Sequence, residues 1–336
     1  MNHPLLKWLI CGSDFFQQFK RNWQQWQFNR QLKNANMDTP FQISTINQLH
    51  QLAKVDSPDH PWMTIFKIED IPALSSDYPT TFTYDFYSIG FKKNLNGYVR
   101  YGRQNYDFQE GVLGFSAPNQ AMTVPRDILE GANGWMVFFH ADLLRGHSLA
   151  EKIQNYGFFN YGVHESLHLS AAEEQMLESL FQNIHLEYHL TGDQFSKKLL
   201  VNHLELLLNY ADRYYRRQFV TRHQAENGFV SRFERVIKNY FYTQPLPLNE
   251  LPSVSYFAEK LNVSPNYLSD TLRVLTGKST QEHIHFHVLE IAKNTLLGTN
   301  KTISEVAYDL GFDYPQYFSR LFKEKTGFSP KQFRTR

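Results

Sequence analysis

The sequence predicts a mixed α+β chain: a β-rich body, a helical hairpin, and an all-α C-terminal region with two helix-turn-helix units. Three observations predict it. Short aromatic and β-branched runs, punctuated by Gly, Pro and Asn, fill the stretch from Met63 to Phe139. After "HADLLRGHSL" the apolar spacing changes to the helical period. Near the end, one pattern occurs twice, as "FAEKLNVSPNYLSDTLRVLTGKST" (257–280) and "VAYDLGFDYPQYFSRLFKEKTGFSP" (306–330).

The chain has 336 residues, room for two or three domains. Its formal net charge of +1 announces no nucleic-acid partner, so any basic surface must be local. The single cysteine, Cys11, excludes an intrachain disulfide and a four-cysteine zinc site, and it fits a reducing compartment. No run reaches transmembrane length, and "LLKWLIC" is short, broken by Lys7 and without a convincing cleavage site. A cytoplasmic protein with no membrane partner is the expectation.

Residues 1–36 are rich in Gln, Asn and Arg without clear turn chemistry, and Met37 begins "MDTPFQIS" as a natural start would. A poorly ordered extension is expected there, with a helix packed on the body as the alternative. Over 37–160, "FTYDFYSIGF", "GYVRYGRQNYDF", "GVLGFSAPNQAMTV" and "GWMVFFH" read as the strands of a sandwich or barrel. Over 161–220, "SAAEEQMLESLFQNIHLEYHL" places Met176, Leu177, Leu180 and Ile184 on one helical face. The segment 193–219 does the same with Leu200, Leu204, Leu207, Leu208 and Ala211, and "TGD" (191–193) breaks the two into an antiparallel hairpin. Their surplus of apolar surface favours burial against the β body or a second subunit. The basic, polar "RRQFVTRHQAENG" (216–228) reads as a linker into a C-terminal domain at 221–336.

In the repeat, Ala258 and Leu261 pair with Ala307 and Leu310, Tyr267 with Tyr317, Ser269 with Ser319, and Leu272 with Phe322. Each copy predicts a short helix, a tight turn and a longer helix. Gly311 suits the second turn, because a positive φ costs glycine least. Ser264 and Asp313 are candidate caps, Pro265 fits a first helical position, and Gly277 and Gly327 suit left-handed ends. Between the copies, 279–301 predicts a helix capped by Ser279 and ended by Gly298. Roughly 19 residues span about 28 Å, which could hold two recognition helices near grooves about 34 Å apart. "TISE" fits a capping box of Thr302 with Glu305.

A recognition helix presents outward residues to base edges in the major groove. In the second copy these are Gln316, Ser319, Arg320 and Lys323. Arg320 suits guanine, Gln316 suits adenine, and Lys323 and Lys325 suit phosphates. In the first copy Asn266, Ser269, Asp270 and Arg273 take the equivalent places. Asp270 stands where the second copy has Arg320; an acid can accept from cytosine but repels phosphate. Residues 222–336 carry 15 Lys and Arg against 11 Asp and Glu. Six of the cations (Arg320, Lys323, Lys325, Lys331, Arg334, Arg336) crowd the last seventeen residues. Any single one could be ordinary helix-end compensation; the cluster within this motif is harder to explain so.

At these residues the chain resembles the AraC/XylS-type transcriptional regulators: "TISEVAYDLGF…YFSRLFKEKTGFSPKQFR" is close to that family's signature. The resemblance covers the C-terminal hundred or so residues. It implies double-stranded promoter DNA as partner, with recruitment or exclusion of RNA polymerase. The upstream layout also resembles the family, which implies a cupin-like barrel sensing an unknown small molecule, followed by helices that make a homodimer. Asp270 departs from the Arg usual in the family, which implies that the first unit binds weakly or selects a half-site of unusual sequence.

A metal-dependent cupin enzyme is the rival reading. It needs several His and a carboxylate converging inside the barrel, with H-x-H placing two imidazoles on one strand face. No H-x-H occurs in the strand-rich region, and His283, His285 and His287 fall on a predicted helix, where that spacing scatters them. No nucleophile-elbow, P-loop or dinucleotide glycine pattern appears. No catalytic residue, metal or cofactor is therefore expected. The barrel offers aromatic lining instead. Tyr84, Phe86, Tyr98, Tyr101, Phe108, Phe115, Trp135 and Phe138 could surround an apolar or planar ligand, with ordinary core packing as the competing account of each.

Overall fold

A computed structural model describes residues 27–28, 30–32, 39–71, 78–93, 99–101, 104–106, 111–123, 132–190, 193–226, 228–243 and 251–335. The chain divides into two compact units. One comprises Met1–Phe159 with Ser166–Tyr214, the other Asn160–Glu165 with Tyr215–Arg336.

The first unit is built on two sheets. Strands β2 (Met63–Lys67), β4 (Tyr87–Lys93), β7 (Val112–Ser116), β9 (Asn133–Phe139) and β10 (Leu167–His168) form an antiparallel sheet in the order β10-β7-β4-β9-β2. Strands β1 (Phe41–Ile43), β3 (Thr81–Tyr84) and β8 (Ala121–Thr123) form a second sheet, β1 parallel and β8 antiparallel to β3. The pair β5 (Val99–Tyr101) and β6 (Gln104–Tyr106) makes a separate ribbon.

In place of the expected closed barrel, the sheets are open among the described residues. Of the four edge strands, β1, β8 and β10 have only two or three residues each, and β2 has five. The three short edges offer too few ladder hydrogen bonds to join the sheets edge to edge.

The two faces of the large sheet bury different partners, as strand alternation requires. Phe66 and Phe138 point towards the small sheet and meet Tyr84 and Phe86 in one core. Phe91 and Trp135 point the other way, onto Phe181 of α2 (Ala171–His189). Burying one such aromatic stabilises the fold by about 1.5–3 kcal/mol. Helix α1 (Ile46–Ala53) closes the open end of the first core with Ile46 and Leu49. Phe28 and Leu32 lie buried in that same core, Phe28 edge-on to Phe41 at 5.9 Å. The expected loose extension therefore includes packed residues before Met37; residues 1–26 lie outside the described residues.

Helix α2 starts where predicted, with a capping box of Ser170 and Glu173. Leu177, Leu180, Phe181 and Ile184 are buried, whereas Met176, expected on that face, is exposed. Helix α3 (Ser196–Glu226) buries Leu200, Leu204, Leu207, Leu208 and Ala211 as predicted. It does not stop at a linker: residues 216–226 continue as helix. The sequence there is polar, but nothing breaks a helix before Gly228.

In the second unit, α4 (Phe229–Lys238), α5 (Val254–Leu261), α6 (Pro265–Thr276), α7 (Thr280–Gly298), α8 (Ile303–Asp309), α9 (Pro315–Thr326) and α10 (Pro330–Arg334) share one core. It runs without interruption from Phe233 and Phe257 through Leu268, Leu272, Ile284 and Ala292 to Val306, Phe318 and Phe322. Ala258 and Ala307 are buried at matching places in the two copies, where their small side chains admit the neighbouring helix.

Candidate nucleic-acid interface

The second copy builds a helix-turn-helix from local chemistry. The Thr302 hydroxyl accepts from Glu305 N–H, while the Glu305 carboxylate accepts from Thr302 N–H, so α8 begins with the predicted box. Gly311 turns the chain at φ 83°, and Gly327 ends α9 at φ 80°. Asp313 does not cap α9. Tyr314 occupies that position without a side-chain bond, and Pro315 follows at the first turn. A fixed proline φ starts a helix even where the cap is weak.

Phe318 and Phe322 anchor the inner face of α9 against Phe312 and Phe333. That packing turns Gln316, Arg320, Lys323 and Lys325 outward, all exposed, with Ser319 half-buried. The Arg320 guanidinium lies over the Tyr317 ring, 5.2 Å from its centroid. Such a contact contributes about 0.5–1 kcal/mol at an exposed site and orients the guanidinium. Lys325 pairs with Glu324 at 3.3 Å. Of the cationic cluster, Arg334 is diverted: its Nε donates to the Leu296 carbonyl at the end of α7 at 3.1 Å. Arg336 lies outside the described residues. Exposed Tyr314 and Tyr317 add aromatic surface to the outward face. Sequence reasoning missed them, having used Tyr317 only as the partner of Tyr267 in the repeat.

The first copy has the same skeleton. Ser264 caps α6 by accepting from Tyr267 N–H, Pro265 follows, and Gly277 closes the helix at φ 76°. Asn262, at φ 55°, takes the turn that Gly311 takes in the second copy. Asn266 and Arg273 are exposed, but Ser269 donates to Thr280 Oγ1 at 3.2 Å. Asp270 is engaged on both oxygens, accepting from Tyr161 Oη at 2.7 Å and pairing with Arg273 at 3.0 Å. Burial and the Asp270 carboxylate push the Tyr161 phenol well above its ordinary range, so it remains a donor.

Helix α7 starts at the expected cap Ser279, which forms a box with Glu282, and ends at Gly298 as predicted. Its 19 residues make a rod of about 28 Å. His283, His285 and His287 are distributed around it. His283 meets Thr276 Oγ1 at 2.9 Å, His285 meets Gln281 at 2.8 Å, and His287 meets Tyr242 at 3.2 Å. Burial lowers the pKa of all three.

The aromatic residues expected to line one pocket are divided. Tyr84, Phe86 and Phe138 come together between the sheets, with ring centroids 5.4–5.8 Å apart. Phe115 and Trp135 face the opposite side. Phe115 packs on Phe158 and Phe159, and Trp135 Nε1 donates to Glu178 at 2.8 Å. Each lies an odd number of positions along its strand from inward-facing residues, so alternation forbids a shared face. Trp135 instead borders a polar cleft of about 490 Å³ with Lys67, Lys93, Glu178 and His185. Tyr98 and Phe108, and the side chain of Tyr101, lie outside the described residues. Among the described residues no helix is long and apolar enough to cross a membrane.

Residues 257–336 match a family described as a helix-turn-helix domain. YfiF of Bacillus subtilis, an uncharacterized HTH-type transcriptional regulator, is 24% identical over 273 residues, 78% of this chain and 81% of that protein. The arabinose operon regulatory protein of Salmonella typhimurium is 36% identical over 81 residues, 24% of this chain and 29% of that protein. Among solved structures, the C-terminal domain of AraT, a response regulator from Geobacillus stearothermophilus, is 35% identical. That alignment covers 32% of this chain and 84% of the other, with a TM-score of 0.28. The chain spans less than half the length of the relatives matched at a third identity or more.

Proposed function

Residues 257–336 are an AraC-type helix-turn-helix DNA-binding domain, and on that premise we propose that the whole chain is a sequence-specific transcriptional regulator. One observation carries the reading. The core of α9 fixes Gln316, Arg320 and Lys323 outward on a helix that meets the geometric needs of major-groove entry. Arg320, steadied by Tyr317, reads guanine O6 and N7; Gln316 reads adenine; Lys323 and Lys325 hold phosphates. The continuous core through α7 fixes the spacing of the two recognition helices, so the target is two segments about one DNA turn apart.

The first unit is the sensing and assembly part of this proposal. Leu186 of α2, Leu190 just past its end, Phe195, and Leu199 and Leu206 of α3 are large, apolar and exposed, which supports a homodimer through these helices. A small-molecule effector held between the sheets near Tyr84, Phe86 and Phe138 would shift the population competent for promoter contact. The close mutual packing of those three rings favours a second reading, in which the unit serves dimerisation alone. RNA polymerase is the downstream partner, the setting is the cytoplasm, and no catalysis is involved. Genome-wide mapping of bound sites tests the proposal. Discrete peaks sharing a two-segment sequence support it, and binding without sequence preference rejects it.

A further inference from the structure

The repeat places equivalent residues in contrasting surroundings. Tyr317 on the second recognition helix is 56% exposed, whereas its counterpart Tyr267 on the first is 7% exposed. Arg320 is open to solvent, but its counterpart Asp270 is engaged by Tyr161. The cover comes from the six residues Asn160–Glu165 with Tyr215 and Phe219 of α3, all within the C-terminal unit.

The short segment holds the turn, the cap and the recognition helix of the first helix-turn-helix. In the turn, His164 Nε2 lies 3.2 Å from the Asn262 carbonyl. At the cap, Glu165, 1% exposed, accepts from both the N–H and the hydroxyl of Ser264. On the helix, Tyr161 donates to Asp270 and sets its ring edge-on to Tyr267 at 5.3 Å, with Phe219 on Tyr267 at 5.2 Å. Glu165 also accepts from Gly162 N–H, and its own N–H donates to the Gly162 carbonyl at 2.8 Å, which folds the segment on itself. Among the described residues, no such segment covers Tyr317 and Arg320 in the second copy.

We infer that Asn160–Glu165 is an autoinhibitory latch, closed over the reading side of the first helix-turn-helix unit, and that two-site DNA binding requires its release. The inference rests on the DNA-binding function proposed above. The chemistry of position 270 fits it. A carboxylate facing a groove repels phosphate, and off DNA it is satisfied by a phenol that must leave before bases approach. The latch lies between Phe159 and Ser166, both in the other unit, so it is tethered there at each end.

The test uses the full chain and duplexes selected from a random pool by the wild-type protein. Tyr161→Phe and Glu165→Gln each remove or weaken one latch contact. Each variant is expected to bind the full two-turn duplex roughly tenfold more tightly, as loss of a charge-assisted hydrogen bond shifts the closed population. A one-turn duplex carrying only the second unit's half-site is expected to bind all proteins alike. Equal affinities for the two-turn duplex overturn the latch. Hydrogen exchange of the wild type guards against misfolded variants: adding two-turn DNA should expose the amides of Gly162 and Glu165. Unchanged protection there, with a two-turn footprint, overturns the latch and leaves the DNA-binding function standing. Failure of every protein to select any sequence overturns the function itself, and the latch with it.

Discussion

Replacing Arg320 by alanine removes the side chain best placed to read a base, and its cost can be divided from the structure. The residue is exposed and sits on a helix whose core contacts come from Phe318 and Phe322, so folding loses only the contact with the Tyr317 ring. That loss is about 0.5–1 kcal/mol at most. On DNA, a bidentate arginine–guanine pair is worth about 1–3 kcal/mol of discrimination, an affinity loss of roughly 5- to 150-fold on the cognate duplex. Fluorescence anisotropy on the selected duplex and on every single-base variant of it measures this directly. Arg320→Ala should flatten the preference at one base pair and leave the other positions ranked as before. Lys323→Ala is the control, since a phosphate contact should weaken all duplexes alike and reduce the slope of affinity against salt by about one ion. If Arg320→Ala weakened every variant equally, or if the two substitutions gave the same profile, the assignment of a base reader to position 320 would be wrong.

Two further outcomes follow from the C-terminal unit. Ser264→Ala and Thr302→Ala each delete a helix cap, worth about 1 kcal/mol by denaturant unfolding. Ser264→Ala should cost about 1–3 kcal/mol more, because it strips the buried Glu165 carboxylate of a donor; equal losses would refute that role of Glu165. His283, His285 and His287 have folded pKa values below their ordinary 6.5, so the unfolded chain binds more protons in mildly acidic solution. Their contribution to stability is complete above pH 6.5 and falls as pH drops below it. Thermal melts from pH 7.5 down to pH 5 should show a falling Tm, less steep when His283 is replaced by Gln; a flat profile would contradict the burial of these rings.

What the sequence disclosed was mostly local. The caps at Ser264 and Ser279, the box at Thr302 and the left-handed ends at Gly277 and Gly327 depend on neighbours three or four residues away, and they stand where spacing put them. Asp313 failed because Pro315 alone fixes the start of α9. Composition misled at 216–228, where a polar surface belongs to a helix that has no reason to stop. The aromatic lining failed on phase. Trp135 and Phe138 are both strand residues of the right kind, but they sit three apart and so face opposite ways. The grip of Tyr161 on Asp270 joins residues 109 apart in the chain, and no periodicity or cap signal reaches that far.

The unbroken course of α3 past residue 216 bears on how this protein should be dissected. An expression boundary drawn at 221, where the composition changes, would cut through the helix and discard Tyr215 and Phe219. The resulting fragment would display Tyr267 as a sticky ring edge and present a frayed stump instead of a finished terminus. Silence from such a fragment on a gel would report careless surgery. It would not report the absence of a reader.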